Sequence, residues 1–432
     1  MGTSAKVFGI GNAPAAKVPI GYQLNRVPNF TGAARLVGGA DTFLASGSTG
    51  LVTFNHFIEA EAPFTRVRLW LFSKETTAAA GITAVVAPSS TDNMAGTDAA
   101  SRYYPSGSAT NNAAYSSTVP YGWRPVTWVG NTSTSLEIGS TAAPSMTCSD
   151  WIECESLPAP TGMQRPVLMI RAMYPASQAY TLGSYYTSDL WSPAVGNSFY
   201  RRWGCAQTSA LDGVGTLSNV PSLGWSSRSG AFIAVEFDYC VPVRSVLAIG
   251  DSITAGGGGQ SYMYDSWACR AVLGKSTPQA PFQYFNGGMS GQGSSAFITQ
   301  ATAMITNGMT PTDVLIPAFT PNDGSASIYS GQVRHGIIVN LIKKLRSLGT
   351  NVYMWIGVPN NGYSGTAEAA RVASETWARS LAAQGLVTLI DFCPLISDGG
   401  NPARYRPEYY QDGIHPNLAA IKVMAKYVQS FL

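Results

Sequence analysis

The sequence predicts two domains: an all-β domain, sandwich or jelly-roll-like, over residues 1–240, and an α/β domain built on a parallel five-stranded sheet over residues 241–432. Three observations predict this. Up to about residue 240 short apolar runs are punctuated by Gly, Pro, Ser and Thr, and helical periodicity is nearly absent, which is the texture of antiparallel sheets. From Arg244 onward short apolar runs alternate with helix-length segments, the pattern of a parallel α/β sheet. Finally, 45% of the 432 residues are hydrophobic and 11% aromatic, enough to bury a core in each half.

In the first half the expected strands are Phe64–Phe72, Gly81–Ala87, Pro125–Val129, Val167–Met173 and Ala231–Tyr239. The first of these alternates apolar and polar residues at its start and the last does so at its end, as half-buried strands do. In the second half the expected strands are Ser245–Ile249, Phe282–Phe285, Asp313–Ala318, Asn351–Ile356 and Leu386–Ile390. The helices expected with them are Ser261–Leu273, Ser294–Asn307, Gly331–Leu348, Thr366–Ala383 and Leu418–Phe431. The join near residues 240–244 is short, with no flexible linker, which predicts a packed interface.

Composition narrows the function. Lys plus Arg number 27 against 24 Asp plus Glu, a net charge of +3 with no basic block, so nucleic acid is not an expected partner. No apolar run approaches the ~18 residues of a membrane span, and Met1–Pro14 lacks the layout of a secretory signal, so a soluble chain is expected. Charged residues make up only 12%, about half the usual share, which points to an extracellular or virion-associated protein. Of the six cysteines, Cys148 and Cys154 are placed to clip one loop. There is no Cys-x-x-Cys and the histidines are His56, His335 and His415 alone, so neither a metal nor another cofactor is indicated.

The residues that carry chemistry fall after the strands of the second half. Gly250-Asp251-Ser252 follows the first strand, Asn286 to Gly293 the second, Thr320 to Asp323 the third, and Asp412-Gly-Ile-His415 lies between the fifth strand and the last helix. In an open parallel sheet all carboxyl ends of strands share one rim, where ligands bind. A hydrolase needs a nucleophile, a base, a group to orient the base, and donors for a developing oxyanion. Ser252 sits in a tight strand-to-helix turn, and His415 is the histidine on a strand-end loop. Asp412 is placed to accept the Nδ1 proton and fix the tautomer. The Ser252 N–H, an N–H of the glycine-rich second loop and the Asn322 side-chain amide are the candidate oxyanion donors.

A Gly-Asp-Ser tripeptide alone arises by chance in roughly one chain of this length in ten; the joint occurrence is what counts. Through Gly250-Asp-Ser-Ile-Thr254, Asn286-Gly-Gly-Met-Ser-Gly291, Thr320-Pro-Asn-Asp323 and Asp412-Gly-Ile-His-Pro416, residues 244–432 resemble the SGNH (GDSL-type) serine hydrolases. The resemblance implies a flavodoxin-like three-layer domain. It implies Ser252 as nucleophile, His415 as general base and then acid, Asp412 as its orienting partner, and Ser252 N–H, Gly291 N–H and Asn322 as the oxyanion hole. The third block usually opens with Gly and here opens with Thr320, which bears on the shape of the oxyanion loop, and Gly288 is the alternative to Gly291.

Plainer readings exist for each residue. Ser252 fits a helix cap, and His415-Pro416 fits a helix start with Pro in the first turn. Asp251 and Asp323 read as loop braces, while His56 and His335 read as surface or satisfied core residues. The glycines at 256–259 lack the Lys-Ser/Thr of a phosphate loop. Between Tyr174 and Trp203 eight aromatic residues lie in loop-like sequence; Tyr185, Tyr186, Trp191 and Trp203 are the candidates among them for gripping a sugar ring, against the alternative that they pack the loop down.

Together these predict an ester hydrolase acting through an acyl-enzyme, on short-chain or acetyl esters of a carbohydrate, with residues 1–240 as a carbohydrate-binding or pocket-shaping accessory domain. The alternatives are a lipid or polyester esterase, or a non-enzymatic virion or adhesin module on a hydrolase-like scaffold. The expected partner is an ester substrate, such as an acylated polysaccharide.

Overall fold

The computed structural model describes residues 41–44, 52–73, 79–89, 123–128, 130, 133–138, 145–159, 165–175, 179–182, 203–209, 224–225, 232–257, 266–323 and 332–432. The chain divides into two compact units, and among the described residues the division falls between Val243 and Arg244.

The first unit is β-rich. Its strands are β1 (Asp41–Leu44), β2 (Val52–Glu59), β3 (Phe64–Ser73), β4 (Ala79–Ser89), β5 (Arg124–Pro125), β6 (Ser135–Ile138) and β7 (Ser145–Cys148), followed by β8 (Ile152–Glu153), β9 (Val167–Tyr174), β10 (Ala179–Leu182), β11 (Trp203–Ser209), β12 (Gly224–Trp225) and β13 (Phe232–Tyr239). They form antiparallel sheets: β12-β11-β2-β9-β4-β5 with β6 also on β4, β13-β3-β7 with β8 also on β3, and the pair β1-β10. The alternation read in β3 has its expected result: Val67 and Leu69 are buried on one face with Val235 and Phe237 of β13. On the other face Arg66 pairs with Asp238 at 2.6 Å and Arg68 with Glu236. Both guanidinium groups also lie about 5 Å from the Trp151 ring, so the charges this face buries are matched within it.

Two expectations for this unit are corrected. The strand expected at Pro125–Val129 shrinks to Arg124–Pro125: the Val126 N–H still reaches Ala84 O, but beyond it the chain leaves β4, with Thr127 O accepting the Asp150 N–H and Trp128 bridging Ser133. Cys148 and Cys154 do not clip a loop; both thiols are free. Cys148 lies opposite Trp70 of β3, whereas the Cys154 N–H reaches Thr65 O. Five residues of strand separate those contacts by roughly 16 Å, beyond the ~7 Å a disulfide spans.

The second unit has five parallel strands, β14 (Arg244–Gly250), β15 (Phe282–Gly288), β16 (Asp313–Pro317), β17 (Asn351–Ile356) and β18 (Thr388–Asp391), in the order β15-β14-β16-β17-β18. Its helices are α1 (Ser252–Ala255), α2 (Trp267–Lys275), α3 (Ser294–Thr306), α4 (Gln332–Ser347), α5 (Gly365–Ala383), α6 (Cys393–Ile396) and α7 (Leu418–Val428). This is the flavodoxin-like three-layer order, in which the chain reverses direction across the sheet between β14 and β16. Apart from Arg244 and Asn351 at their starts, β14 to β17 are buried throughout, as strands covered on both faces are, whereas the edge strand β18 buries only Ile390 fully. Trp267 of α2 meets Trp355 of β17 and Phe392 edge-on, with centroids 5.8 and 5.2 Å apart. The last strand starts two residues later than expected, because the Leu386 N–H still closes the end of α5 on Leu381 O. Among the described residues no helix is long and apolar enough to cross a membrane.

One close approach fixes the rim of this sheet. A Cβ at Gly288, the last residue of β15, would lie 2.4 Å from Ala255 N at the end of α1. Because the obstacle is backbone, Gly288→Ala is expected to destabilise the protein by about 1–3 kcal/mol through overpacking, read as a lower urea midpoint with an unchanged denaturant slope.

Candidate active site

The turn after β14 frees the hydroxyl that matters. Asp251 is the N-cap of α1 and its Oδ1 accepts from Ile253 N–H at 3.0 Å, so the cap is supplied by Asp251 and not by Ser252. The Ser252 Oγ instead lies 2.8 Å from His415 Nε2. Gly256 ends this short helix in the left-handed conformation. At Gly257, just beyond, a side chain would meet the imidazole: its Cβ would lie 3.0 Å from His415 Cδ2.

The loop bearing His415 is organised around Asp412. One carboxylate oxygen, Oδ1, accepts from the N–H groups of Ile414 and His415 at 3.0 and 2.8 Å. The other, Oδ2, lies 2.7 Å from His415 Nδ1. With Nδ1–H donating to the carboxylate, the Nε2 lone pair faces Ser252 and can take its proton. Partial burial pushes the Asp412 carboxyl up, but hydrogen bonds from the His415 ring, its N–H and the Ile414 N–H outweigh that and hold it below the usual range. His415-Pro416 does not open a helix, since α7 begins at Leu418 with Asn417 as its cap.

The second and third loops meet the first. Asn286 Nδ2 donates to Ala255 O at 3.2 Å, tying the second loop to α1, and its Oδ1 accepts the Gly288 N–H at 2.9 Å. That N–H is therefore committed, while among the described residues the Gly291 N–H has no acceptor. Gly291 has φ +75°, with open space where a side chain would point. Asn322 Nδ2 lies 3.4 Å from Asp251 Oδ2 and 3.3 Å from Gln292 O. Its amide is thus held between the neighbour of Ser252 and the neighbour of Gly291. The Thr320 that stands in place of Gly has a role in this loop: its Oγ1 accepts the Asn322 N–H at 3.2 Å. Asp323 accepts from Thr320 N–H and from Ser294 N–H and Oγ, bracing the turn against the start of α3.

Asp251 is fully buried, and that burial is the main reason its carboxyl is pushed up to about 7. Its two oxygens receive two donors, Ile253 N–H and Asn322 Nδ2. It is a brace, as the sequence suggests, but one that links the serine turn to the third loop.

Other candidates fall elsewhere. Tyr185, Tyr186 and Trp191 lie outside the described residues. Trp203 opens β11 and Tyr180 lies in β10, and Tyr174 is buried at the end of β9, so these three belong to strands and not to the loop expected from their Gly- and Ser-rich surroundings. His335 stacks on Trp377 with ring centroids 3.8 Å apart, and His56 lies in β2. Sequence reasoning missed Gly257 and the Thr320 hydroxyl. Both act through three-dimensional proximity, and the departure of Thr320 from the usual Gly was the available signal for the second.

The flavodoxin-like sheet thus carries at its rim a hydrogen-bonded chain of Asp412, His415 and Ser252. Residues 248–422 match the model of the GDSL-like Lipase/Acylhydrolase family, and this segment is a domain of that family. Its coarse activity is accordingly that of an ester hydrolase. Solved structures similar to this chain include a protein of the G-D-S-L family described as lipolytic, from Desulfitobacterium hafniense (20% identity, 44% of this chain and 99% of that one, TM-score 0.36). Others are the psychrotrophic esterase EstA from Pseudoalteromonas sp. (19%, 43% and 95%, TM-score 0.34) and a GDSL-like lipase from Bacteroides thetaiotaomicron (17%, 44% and 87%, TM-score 0.33). A search of curated proteins finds no match to the chain.

Above pH 7, where wild-type Asp251 is ionised, Asp251→Asn leaves one acceptor oxygen where two donors converge, so there the Asn322 amide is expected to shift and kcat to fall about tenfold, within what a displaced oxyanion donor costs. The same variant separates a stability effect. Because the folded state holds the Asp251 proton up to about pH 7 and the unfolded chain releases it near the usual carboxylate value, wild-type stability contributed by this group falls as pH rises from about 4 to 7. Urea unfolding across that window should show the variant gaining on the wild type as pH rises; parallel curves would contradict the assignment.

Proposed function

We propose that the chain is a serine esterase that hydrolyses carboxylic esters through an acyl-enzyme, with short acyl groups, acetyl on a carbohydrate foremost, as its substrates. The observation that carries this is the continuous hydrogen-bonded chain from Asp412 Oδ2 to His415 Nδ1 at 2.7 Å and from His415 Nε2 to Ser252 Oγ at 2.8 Å. Ser252 Oγ attacks the ester carbonyl carbon and its proton passes to His415 Nε2. The carbonyl oxygen becomes an oxyanion held by the N–H groups of Ser252 and Gly291 and by the Asn322 amide. As the tetrahedral intermediate collapses, the alcohol leaves with the proton from His415. Water then attacks the acyl-serine, again giving its proton to His415, and the acid departs as Ser252 recovers its hydrogen. Asp412 holds the imidazole in the required tautomer and stabilises the imidazolium.

The acetyl-on-carbohydrate reading is supported by the β-rich first half and its aromatic-rich stretch between Tyr174 and Trp203, which suit a polymeric glycan. Residues 1–240 fit this reading as an accessory domain that binds the acylated polymer or shapes the pocket, with Tyr185, Tyr186, Trp191 and Trp203 as candidate contacts. The low charge content supports an extracellular or virion-borne setting.

A chromogenic acyl series from acetyl to long chain, hydrolysed by the intact protein and by Ser252→Ala, tests the reading. The expected result is turnover greatest on acetyl and at least a thousandfold lower in the variant, in line with loss of a serine nucleophile. A maximum on long chains would move the substrate to lipids or polyesters, and turnover indifferent to the substitution would remove Ser252 from the reaction.

A further inference from the structure

The loop that carries Asp412 and His415 is poorly covered: the Asp412 side chain is 50% exposed and Ile414 40%. The His415 side chain is itself mostly covered, at 21% exposed, but the exposed stretch before it takes its rigidity from another source. A trans peptide points its N–H and C=O in opposite directions. In the Gly413–Ile414 unit the N–H donates to Asp412 Oδ1 at 3.0 Å while the C=O accepts the Asn361 N–H at 2.7 Å. In the Ile414–His415 unit the N–H donates to Asp412 Oδ1 at 2.8 Å while the C=O accepts the Tyr405 hydroxyl at 3.1 Å. Each unit is pinned on one side by the carboxylate and on the other by a residue from a separate segment.

These two outside residues are themselves joined and anchored. Asn361 Oδ1 accepts the Tyr405 N–H at 2.9 Å. The neighbouring Arg404 donates to Asn360 O at 2.8 Å and Tyr363 O at 2.6 Å, which clamps the loop after β17 to the same segment. Tyr405 is only 3% exposed, so its hydroxyl is aimed from a fixed, buried ring.

We infer that Asn361 and Tyr405 are positioning residues for the histidine and aspartate: by fixing two successive carbonyls of the 412–415 loop they orient the N–H groups that hold one oxygen of Asp412, and so leave the other oxygen aimed at His415 Nδ1. The inference rests on the esterase reading for its kinetic consequence and on geometry alone for its structural one. Neither residue belongs to the four motif blocks.

Tyr405→Phe removes one hydroxyl from a residue that keeps its packing, and Tyr353→Phe is the control, since the Tyr353 hydroxyl also donates to a backbone carbonyl, Phe431 O, away from the site. Tyr405→Phe is expected to lower kcat about tenfold with KM unchanged, as misplacement of a reacting group does, and Tyr353→Phe to leave both as they are. A second readout needs no substrate: the low-field proton resonance of the His415 Nδ1–H, assigned by its loss in His415→Gln, should be present in the wild type and in Tyr353→Phe and weakened or shifted upfield in Tyr405→Phe. If Tyr405→Phe keeps both its kcat and that resonance, the inference is overturned. If Ser252→Ala hydrolyses esters as well as the wild type, the esterase reading fails instead, and the resonance still decides the positioning role.

Discussion

A parallel sheet gathers the carboxyl ends of all its strands on one edge, and in this protein that constraint brings together groups the chain holds far apart. Ser252 and His415 are 163 residues apart in sequence and 2.8 Å apart in space. The first two loops also nest tightly: Gly288 of the second strand lies against the backbone of the helix that follows the first. Asn286 then ties the two loops by a hydrogen bond to Ala255 O. Because the chain reverses its direction across the sheet between β14 and β16, the serine turn and the Asn322 loop flank the crevice that such a reversal leaves open.

The electrostatics divide the carboxylates by environment. Asp412, half-exposed and receiving three hydrogen bonds, stays ionised well below neutrality, which a partner for an imidazolium requires. Asp251, in full burial, holds its proton to about pH 7 and spends its two oxygens on the geometry of neighbouring loops. Asp323 is spent likewise on Thr320 and Ser294. Two of the three aspartates around the serine thus shape the loops, and one serves the histidine.

Much of the second unit was legible in its sequence, because its elements follow local rules. Apolar runs of strand length, capped helices and short turns predicted all five strands to within a few residues. The site motifs lie directly after strands, or directly before the last helix, so their convergence followed from topology. That the Gly288 N–H is already engaged by Asn286 Oδ1 was not legible, since it depends on how the second loop folds back on itself. Nor were Gly257, Asn361 and Tyr405, which matter through neighbours up to more than a hundred residues away. In the first unit the antiparallel texture was legible from alternation along β3 and β13. The fates of Cys148 and Cys154 were not, because sequence proximity says nothing of their spacing along a shared partner strand.

The central claim is that His415 activates Ser252 as a nucleophile. Reaction of the intact chain with a small phosphonate ester, followed by peptide mass mapping, tests it most directly. The account predicts one phosphonyl group per chain, on Ser252, and its loss in His415→Gln. A chain that takes no label, takes it elsewhere, or labels Ser252 equally well without His415 would contradict it.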